Sequence, residues 1–524
     1  MRWDLWRIHL SERFRELLGW LLLLAVLIVN AVFLRYNAFR GFNFFDMGSF
    51  LDASWRIYRG QVPYVDFIFT TGPLHLYLNA FFFLLFGFGK NAVLAHLVTV
   101  SSIVIVSIFW MVRKYLPFWL CALLALLTAA SFYWPISHPW YDQTAHLWGI
   151  LAIVFLTTRL PETGGGKVFW TGACCGAMAV FSFVTKSNIG FIYGLLFFVI
   201  LASFKERRKG IFGYGCGAVV ALLISLVFIR APAEYVTQAF LNYGTSQRAR
   251  FIFFLWIPTW LMNYYWLPAA VVAINSKGVW RKYLRLELLL FGVYFVGLFS
   301  FLTGSMEKNA NIPLWGPHMA IAFIFLSRVK REMTTSLRRT VWRLSFVFLV
   351  LLTGWMTVVA ARYGYELKVW QPKTGSFFGD YTLQVQPLRG WKCAKGEGEF
   401  IDDIVQGFRS YVPEKDSFLV LTDLPILYSL MGRDSYRGIP FIFHQGVLPA
   451  MGKQWAQVRA RITGNPPDWI LIHSSQKAPS PLLYIVDYLD LDSFLRERYT
   501  PIKAWPTYIL LRRKIDRGVK ESGK

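Results

Sequence analysis

Acidic residues are what this sequence most lacks: 30 Asp and Glu stand against 55 Lys and Arg in 524 residues. Only thirteen of those acids precede residue 362. Cysteine is scarce too. Of the five, Cys121, Cys174, Cys175 and Cys216 lie inside apolar runs and only Cys393 lies in polar sequence, so no disulfide framework follows. No internal repeat or low-complexity tract is present. The glycine-rich GGGK at 164–167 is not a phosphate loop, because the first glycine of the Walker spacing is missing and Val168 replaces the required Ser or Thr.

Hydrophobic length, by contrast, is abundant. The chain is 55% hydrophobic and 18% aromatic, with a mean hydropathy of +0.42, values above those of a soluble domain of this size. These values imply a polytopic α-helical membrane protein. A formal charge of +25 would point a soluble protein toward nucleic acid, but here the basic residues fall in short tracts between apolar runs, as topology signals do. Nucleic acid is therefore not an expected partner, and membrane lipids are.

Runs able to cross about 30 Å of hydrocarbon recur near 17–34, 91–112, 118–136, 146–158, 168–185, 189–204, 211–229, 259–275, 286–303, 312–327 and 343–361. The first follows MRWDLWRIHLSERFRELLGW without a small-residue cleavage pattern and is expected to stay as an anchor. The apolar stretch 73–89 is short, opens with Pro73 and closes on glycines, so it is expected to lie along the interface. With the start inside and 73–89 not crossing, the inward segments hold 22 Lys and Arg, while the outward segments before residue 362 hold ten. That asymmetry places the N-terminus in the cytoplasm of a multi-pass inner-membrane protein.

After residue 361 the pattern changes. FIDDIVQGFRSYV reads as a helix and SFLVLTD as a strand; GVLPAMGKQWAQVRARITGN, DWILIHS, PLLYIVDYLDLDSFLRERY and TYILLRRK repeat the alternation. The expected organisation is therefore a transmembrane domain over 1–361 and an extracytoplasmic α/β domain over 362–524, periplasmic or extracellular, with a largely parallel sheet.

Three of the scarce acids, Asp46, Asp52 and Asp66, crowd the first outward loop, FDMGSFLDASWRIYRGQVPYVDFIFTTGPL, and Asp142 occupies the second, SHPWYDQTAHLW. Carboxylates near a bilayer are costly, about 2.5–3.5 kcal/mol at a helix centre, so they tend to be kept for a purpose. Each also has a plainer reading. Asp46 is placed to cap the following helix, Asp52 to pair with Arg56 four residues on, Asp66 to form a turn before Pro73, and Asp142 to cap the next crossing. The combination is more specific than any member.

Asp46-Met47-Gly48, Trp55, Gly60-Gln61-Val62-Pro63-Tyr64-Val65-Asp66, Gly72-Pro73-Leu74 and Phe86-Gly87, in that order, resemble the first outward loop of the GT-C glycosyltransferases. These include the protein O-mannosyltransferases of glycosyltransferase family 39 and the aminoarabinose and galacturonic acid transferases that modify lipid A and core sugars. Weaker echoes lie at SHPWYDQ, FVTKSNIG and TGSMEKNANIPLWGPH. The chain departs in having Gly72-Pro73 where many members have Pro-Pro preceded by Lys or His.

The resemblance implies a GT-C-like fold of about eleven transmembrane helices with interfacial helices in the first outward loop. It also implies an inverting hexosyl or pentosyl transfer from a polyprenyl-phosphate-linked sugar donor to a hydroxyl of a lipid, glycan or protein acceptor outside the membrane. An acceptor hydroxyl needs a carboxylate base, and Asp46, Asp66 and Asp142 are the candidates, Asp46 first. The departing phosphate needs cations or donors, for which Lys186, Lys308 and His318 are candidates. Their plainer readings are a snorkelling lysine, a solvated loop charge and a packed histidine. A divalent metal ion is compatible with the resemblance, with Asp46, His138 and Asp142 as ligands. A transporter or lipid-linked-sugar flippase is the alternative, but that class places charges at mid-membrane, and these acids lie in loops. A third reading, a non-catalytic anchor, needs far fewer crossings.

Overall fold

The computed structural model describes residues 12–42, 44, 46–159, 165–242, 266–276, 280–303, 312–366, 380–443, 454–474 and 485–514. The chain forms two compact units, neither continuous in sequence. One comprises Met1–Ala38, Val93–Val227 and Arg250–Thr374; the other comprises Phe39–Ala92, Phe228–Ala249 and Gly375–Lys524.

Helices α1 (Glu12–Ala38), α2 (Asp46–Tyr58), α3 (Leu74–Phe86), α4 (Lys90–Val112), α5 (Phe118–Phe132), α6 (Tyr141–Arg159), α7 (Gly165–Thr185), α8 (Ser187–Ala202) and α9 (Arg207–Phe228) follow in order. Each of the eleven expected runs falls on a helix, the later four on Leu267–Ser276, Trp280–Thr303, Trp315–Val329 and Ser336–Glu366. Residues 259–265 of the eighth run lie outside the described residues. Among the described residues seven helices are long and apolar enough to cross a membrane.

The first unit is apolar on its outside, as a bundle in lipid must be. Along α1, Leu17, Leu21, Leu24, Ile28 and Val32 are exposed, while Leu23, Val26, Asn30, Leu34 and Asn37 are buried. Spacings of three and four put each set on its own face. On the buried face Asn30 donates to Ser101 Oγ at 2.8 Å and accepts from Trp134 Nε1 at 3.0 Å, tying α1 to α4 and to the end of α5. Helices α7 and α9 meet through small residues. A Cβ on Gly213 would lie 2.1 Å from the Phe169 carbonyl oxygen, and one on Gly217 would lie 1.9 Å from that of Ala173. Such close backbone approach is how helices associate in lipid, where apolar burial gives no drive.

The second unit gathers α2, α3 and the segment after residue 379. Thirteen residues of α3 rise only about 20 Å, too short to span. One face of α3 is buried through His75, Leu76, Asn79 and Phe83, and the other exposes Phe81, Leu84, Leu85 and Phe86.

Its strands are β1 (Phe67–Ile68), β2 (Tyr381–Thr382), β3 (Lys392–Cys393), β4 (Phe418–Leu421), β5 (Ile439–Pro440), β6 (Trp469–His473), β7 (Tyr499–Ala504) and β8 (Tyr508–Arg513). The main sheet has the order β4-β6-β8-β7. Helix Lys395–Tyr411 buries Ile401, Ile404, Val405 and Phe408, and Phe408 packs its ring 5.4 Å from that of Phe418 in β4.

The sheet corrects one expectation. Only β4 and β6 run parallel, while β6–β8 and β8–β7 are antiparallel. Strand β7 was hidden in the sequence by Pro501. It is an edge strand whose register shifts between Pro501 and Lys503, which is where a sheet tolerates proline. The short turn from Ala504 to Tyr508 then forces a hairpin, and hairpins are antiparallel.

Candidate functional site

In the first unit the loop between α5 and α6 carries His138, Trp140 and, at the start of α6, Asp142. The carboxylate of Asp142 sits in the first turn of α6, where the helix dipole favours negative charge. It accepts from Trp140 Nε1 at 3.1 Å and is ion-paired to Lys186 Nζ. Both partners are largely buried, Lys186 at 12% exposure and Asp142 at 6%.

Lys186 is the single residue joining α7 to α8, in extended conformation (φ −148°, ψ 108°), and its ammonium lies 4.6 Å from the centre of the Tyr141 ring. The tight turn is possible because Gly190 admits the backbone of Phe183, whose nitrogen would be 2.0 Å from a Cβ there. Beneath, His146 Nδ1 pairs with the Tyr193 hydroxyl at 3.0 Å, and Gly149 makes room for the same tyrosine ring. Lys186 is thus a held cation and not a snorkelling one.

His138 donates from Nδ1 to the Ile136 carbonyl at 2.9 Å. His318 is buried in helix Trp315–Val329, its ring stacked 6.4 Å from Tyr294. Lys308 lies outside the described residues. Among the described residues no three His, Cys, Asp or Glu side chains converge to hold a metal ion. His138 and Asp142 come from one loop, whereas Asp46 belongs to the other unit.

In the second unit Asp46 is the first residue of α2, and burial pushes its carboxyl up to about 6. Asp52 and Arg56, both fully buried, pair at 2.8 Å as their spacing predicts. Ser435 donates to the other Asp52 oxygen at 3.3 Å, and the Arg56 guanidinium lies against the rings of Phe67 and Tyr428. Burial raises the Asp52 carboxyl, and Arg56 holds that rise back.

Asp66 has both oxygens engaged, one accepting from the Val62 amide at 2.8 Å and one from Arg437 Nη1 at 3.1 Å. It closes the P-Y-x-D turn. The same face of the loop is tied further by Trp55 Nε1 to the Arg433 carbonyl at 2.8 Å and by Arg59 to Asp434 at 2.6 Å.

Sequence reading missed one cluster altogether. Asp423, just past β4, accepts from the Tyr508 hydroxyl at 2.8 Å and faces His473 Nε2 at 3.4 Å. Burial works against the Asp423 charge, but His473 and Tyr508 bring its carboxyl below the ordinary value. The only signal was the position of Asp423 and His473 at the carboxyl ends of two strands, the edge where open α/β sheets bind ligands.

No protein-family model and no curated protein matches the chain in sequence. Solved structures do match in fold. The crystal structure of ArnT from Cupriavidus metallidurans bound to undecaprenyl phosphate superposes with a TM-score of 0.51 at 13% identity, covering 96% of this chain and 98% of that one. Its apo state matches with the same score and identity over 95% and 98%. The apo oligosaccharyltransferase of Archaeoglobus fulgidus scores 0.44 at 9% identity, over 86% and 69%. The chain has the ArnT fold along its length, which is the GT-C-like fold that its first-loop motifs led one to expect.

Proposed function

We propose that this protein is an inverting membrane glycosyltransferase that moves a hexosyl or pentosyl group from a polyprenyl-phosphate donor to an acceptor hydroxyl. The observation that carries the reading is the buried Lys186–Asp142 pair at a helix junction, in a chain whose fold is shared with a protein that binds undecaprenyl phosphate. The basic excess on the inward segments favours a reaction at the outer face of the cytoplasmic membrane.

Lys186 serves as the phosphate-binding cation. Its ammonium has three N–H donors, of which Asp142 takes one, so the carboxylate orients the cation and leaves donors for a leaving phosphate. Such preorganised charge is worth most where water is excluded. His318 and Lys308 are the other phosphate-binding candidates.

Asp46 serves as the general base. A carboxyl near 6 is largely ionised at neutral pH, yet it holds a proton far better than an ordinary aspartate, and a base near the working pH gives the most effective transfer. As the acceptor oxygen forms its bond to the anomeric carbon, Asp46 takes the hydroxyl proton. The bond to the phosphate oxygen breaks, and the electron pair leaves with the phosphate. Asp66 supports this chemistry by holding the loop.

The test is native mass spectrometry of the protein purified from its own membrane. Retention of a polyprenyl-phosphate sugar, and its conversion to free polyprenyl phosphate when membrane acceptors are added, is expected. Transport of the intact lipid across liposomes with no chemical change would overturn the reading in favour of a flippase.

A further inference from the structure

A cleft of about 540 Å³ opens within the second unit between three stretches of backbone: the P-Y-x-D turn, the helical segment 232–242 and helix Gln454–Gly464. That volume lies in the range of small-molecule sites, about 300–1,000 Å³. Its walls carry Tyr64, Phe67, Glu234, Gln238, Gln457 and Arg461.

Two of the three walls are conformationally costly. Tyr64 sits at φ +67°, the left-handed region that a non-glycine residue adopts only at a cost. It is fixed there by its backbone N–H, which donates to the Phe67 carbonyl at 2.9 Å, and by its hydroxyl, which donates to the Thr71 carbonyl. Val236–Asn242 is a π-helix, a rare form concentrated at functional sites. Within it the Gln238 side-chain oxygen accepts from the Phe69 amide at 3.0 Å, which turns the amide so that its NH₂ is the end left for another partner. Gln454, also on the wall, buries its side-chain oxygen without a hydrogen-bond partner among the described residues.

The chemistry of this lining is specific. One carboxylate and one guanidinium balance in charge, so the cleft is not built for phosphate, which needs a cationic excess. Amides, carboxylate and guanidinium are planar groups that bridge neighbouring hydroxyls, and they share the lining with Tyr64, Phe67, Ile68 and Val458. Donors and acceptors in one lining with apolar side chains match a ring that carries many hydroxyls and C–H groups.

We infer that this cleft binds the sugar part of the acceptor, an uncharged polyhydroxylated saccharide; the inference rests on the glycosyltransferase reading and names the acceptor class for it. Gln457 and Arg461 supply hydrogen bonds from the exposed helix, and Gln238 supplies its amide.

The test uses the full chain in lipid nanodiscs, with maltotriose, cellobiose and chitobiose as probes, read by saturation-transfer NMR. Magnetisation is expected to reach the ring protons of at least one probe. Gln457→Ala and Arg461→Ala, both on an exposed helix face, are each expected to weaken it about tenfold, the loss of one hydrogen bond to a charged or buried partner. Retention of undecaprenyl phosphate, followed in the same samples by native mass spectrometry, is expected to be unchanged.

Absence of transfer to every probe, equal transfer in the variants, or displacement by inorganic phosphate each overturns the cleft assignment. Loss of undecaprenyl phosphate binding in the unaltered protein, with saccharide binding still dependent on Gln457 and Arg461, sinks the donor half of the glycosyltransferase reading and leaves the cleft standing.

Discussion

Arg437 donates to Asp66 at 3.1 Å although 371 positions separate them, and beside this contact β1 runs parallel to β5. The first loop is therefore completed by backbone and side chains from the far end of the chain. Asp66 and Asp52 each take one partner, Arg437 and Ser435, that no local sequence window contains.

Two ion pairs of that loop differ sharply in expected worth. Arg437 is 60% exposed, and exposed pairs contribute about 0–1 kcal/mol. Arg56 and Asp52 are fully buried, and removing one partner of such a pair costs about 3–5 kcal/mol. Arg56→Leu is expected to lower the thermal unfolding midpoint in detergent by several degrees more than Arg437→Ala; equal shifts would contradict the burial argument.

Asp46 yields a signed pH dependence. Its folded carboxyl is raised from 3.8 to about 6, so the base is mostly protonated at pH 5 and mostly ionised at pH 7. Transfer should rise about tenfold over that interval and then level, whereas an unshifted carboxyl would give a flat profile there. Asp46→Asn should cost about 10²–10⁴-fold in rate.

The same shift has a stability consequence of opposite sense. A raised carboxyl means that the folded state binds the proton more tightly than the unfolded chain. Its contribution is therefore fully present below about pH 4 and is lost as pH climbs through about 6. Asp46→Asn should raise the unfolding midpoint at pH 7 and make little difference at pH 4, while activity falls. A midpoint lowered at pH 7 would show that the charge is favourably held.

Lys186 and Asp142 should separate by kinetic role. Lys186→Met removes the proposed phosphate donor and should weaken undecaprenyl phosphate binding about tenfold or more. Asp142→Asn keeps the cation but loses its charged anchor, so binding should weaken less and the salt dependence of donor binding should steepen. Lys186→Met with undiminished lipid binding would remove Lys186 from the site.

Close packing of α7 on α9 makes a prediction independent of function. Gly217→Leu forces a side chain where a single Cβ already meets the Ala173 carbonyl at 1.9 Å. Backbone cannot yield as a flexible side chain can, so a loss above the usual 1–3 kcal/mol of overpacking is expected. Gly215→Ala, with open space at its Cβ, is the control and should be near neutral or slightly stabilising.

Helix positions, the shortness of α3 and the i,i+4 pairing of Asp52 with Arg56 were legible in the residues. Each depends only on neighbours along the chain: hydropathy over a span, rise per residue, and the turn of a helix. The order of the first-loop motifs also sufficed to anticipate the fold. Tertiary structure alone decided the rest. It turned the sheet antiparallel at β8, paired Lys186 with Asp142 across 44 positions, brought Asp423 to His473 and Tyr508, and opened the cleft lined by Tyr64, Gln238 and Arg461. These relations join residues far apart in sequence, and their energies come from burial and desolvation, which no residue possesses until the chain has closed around it.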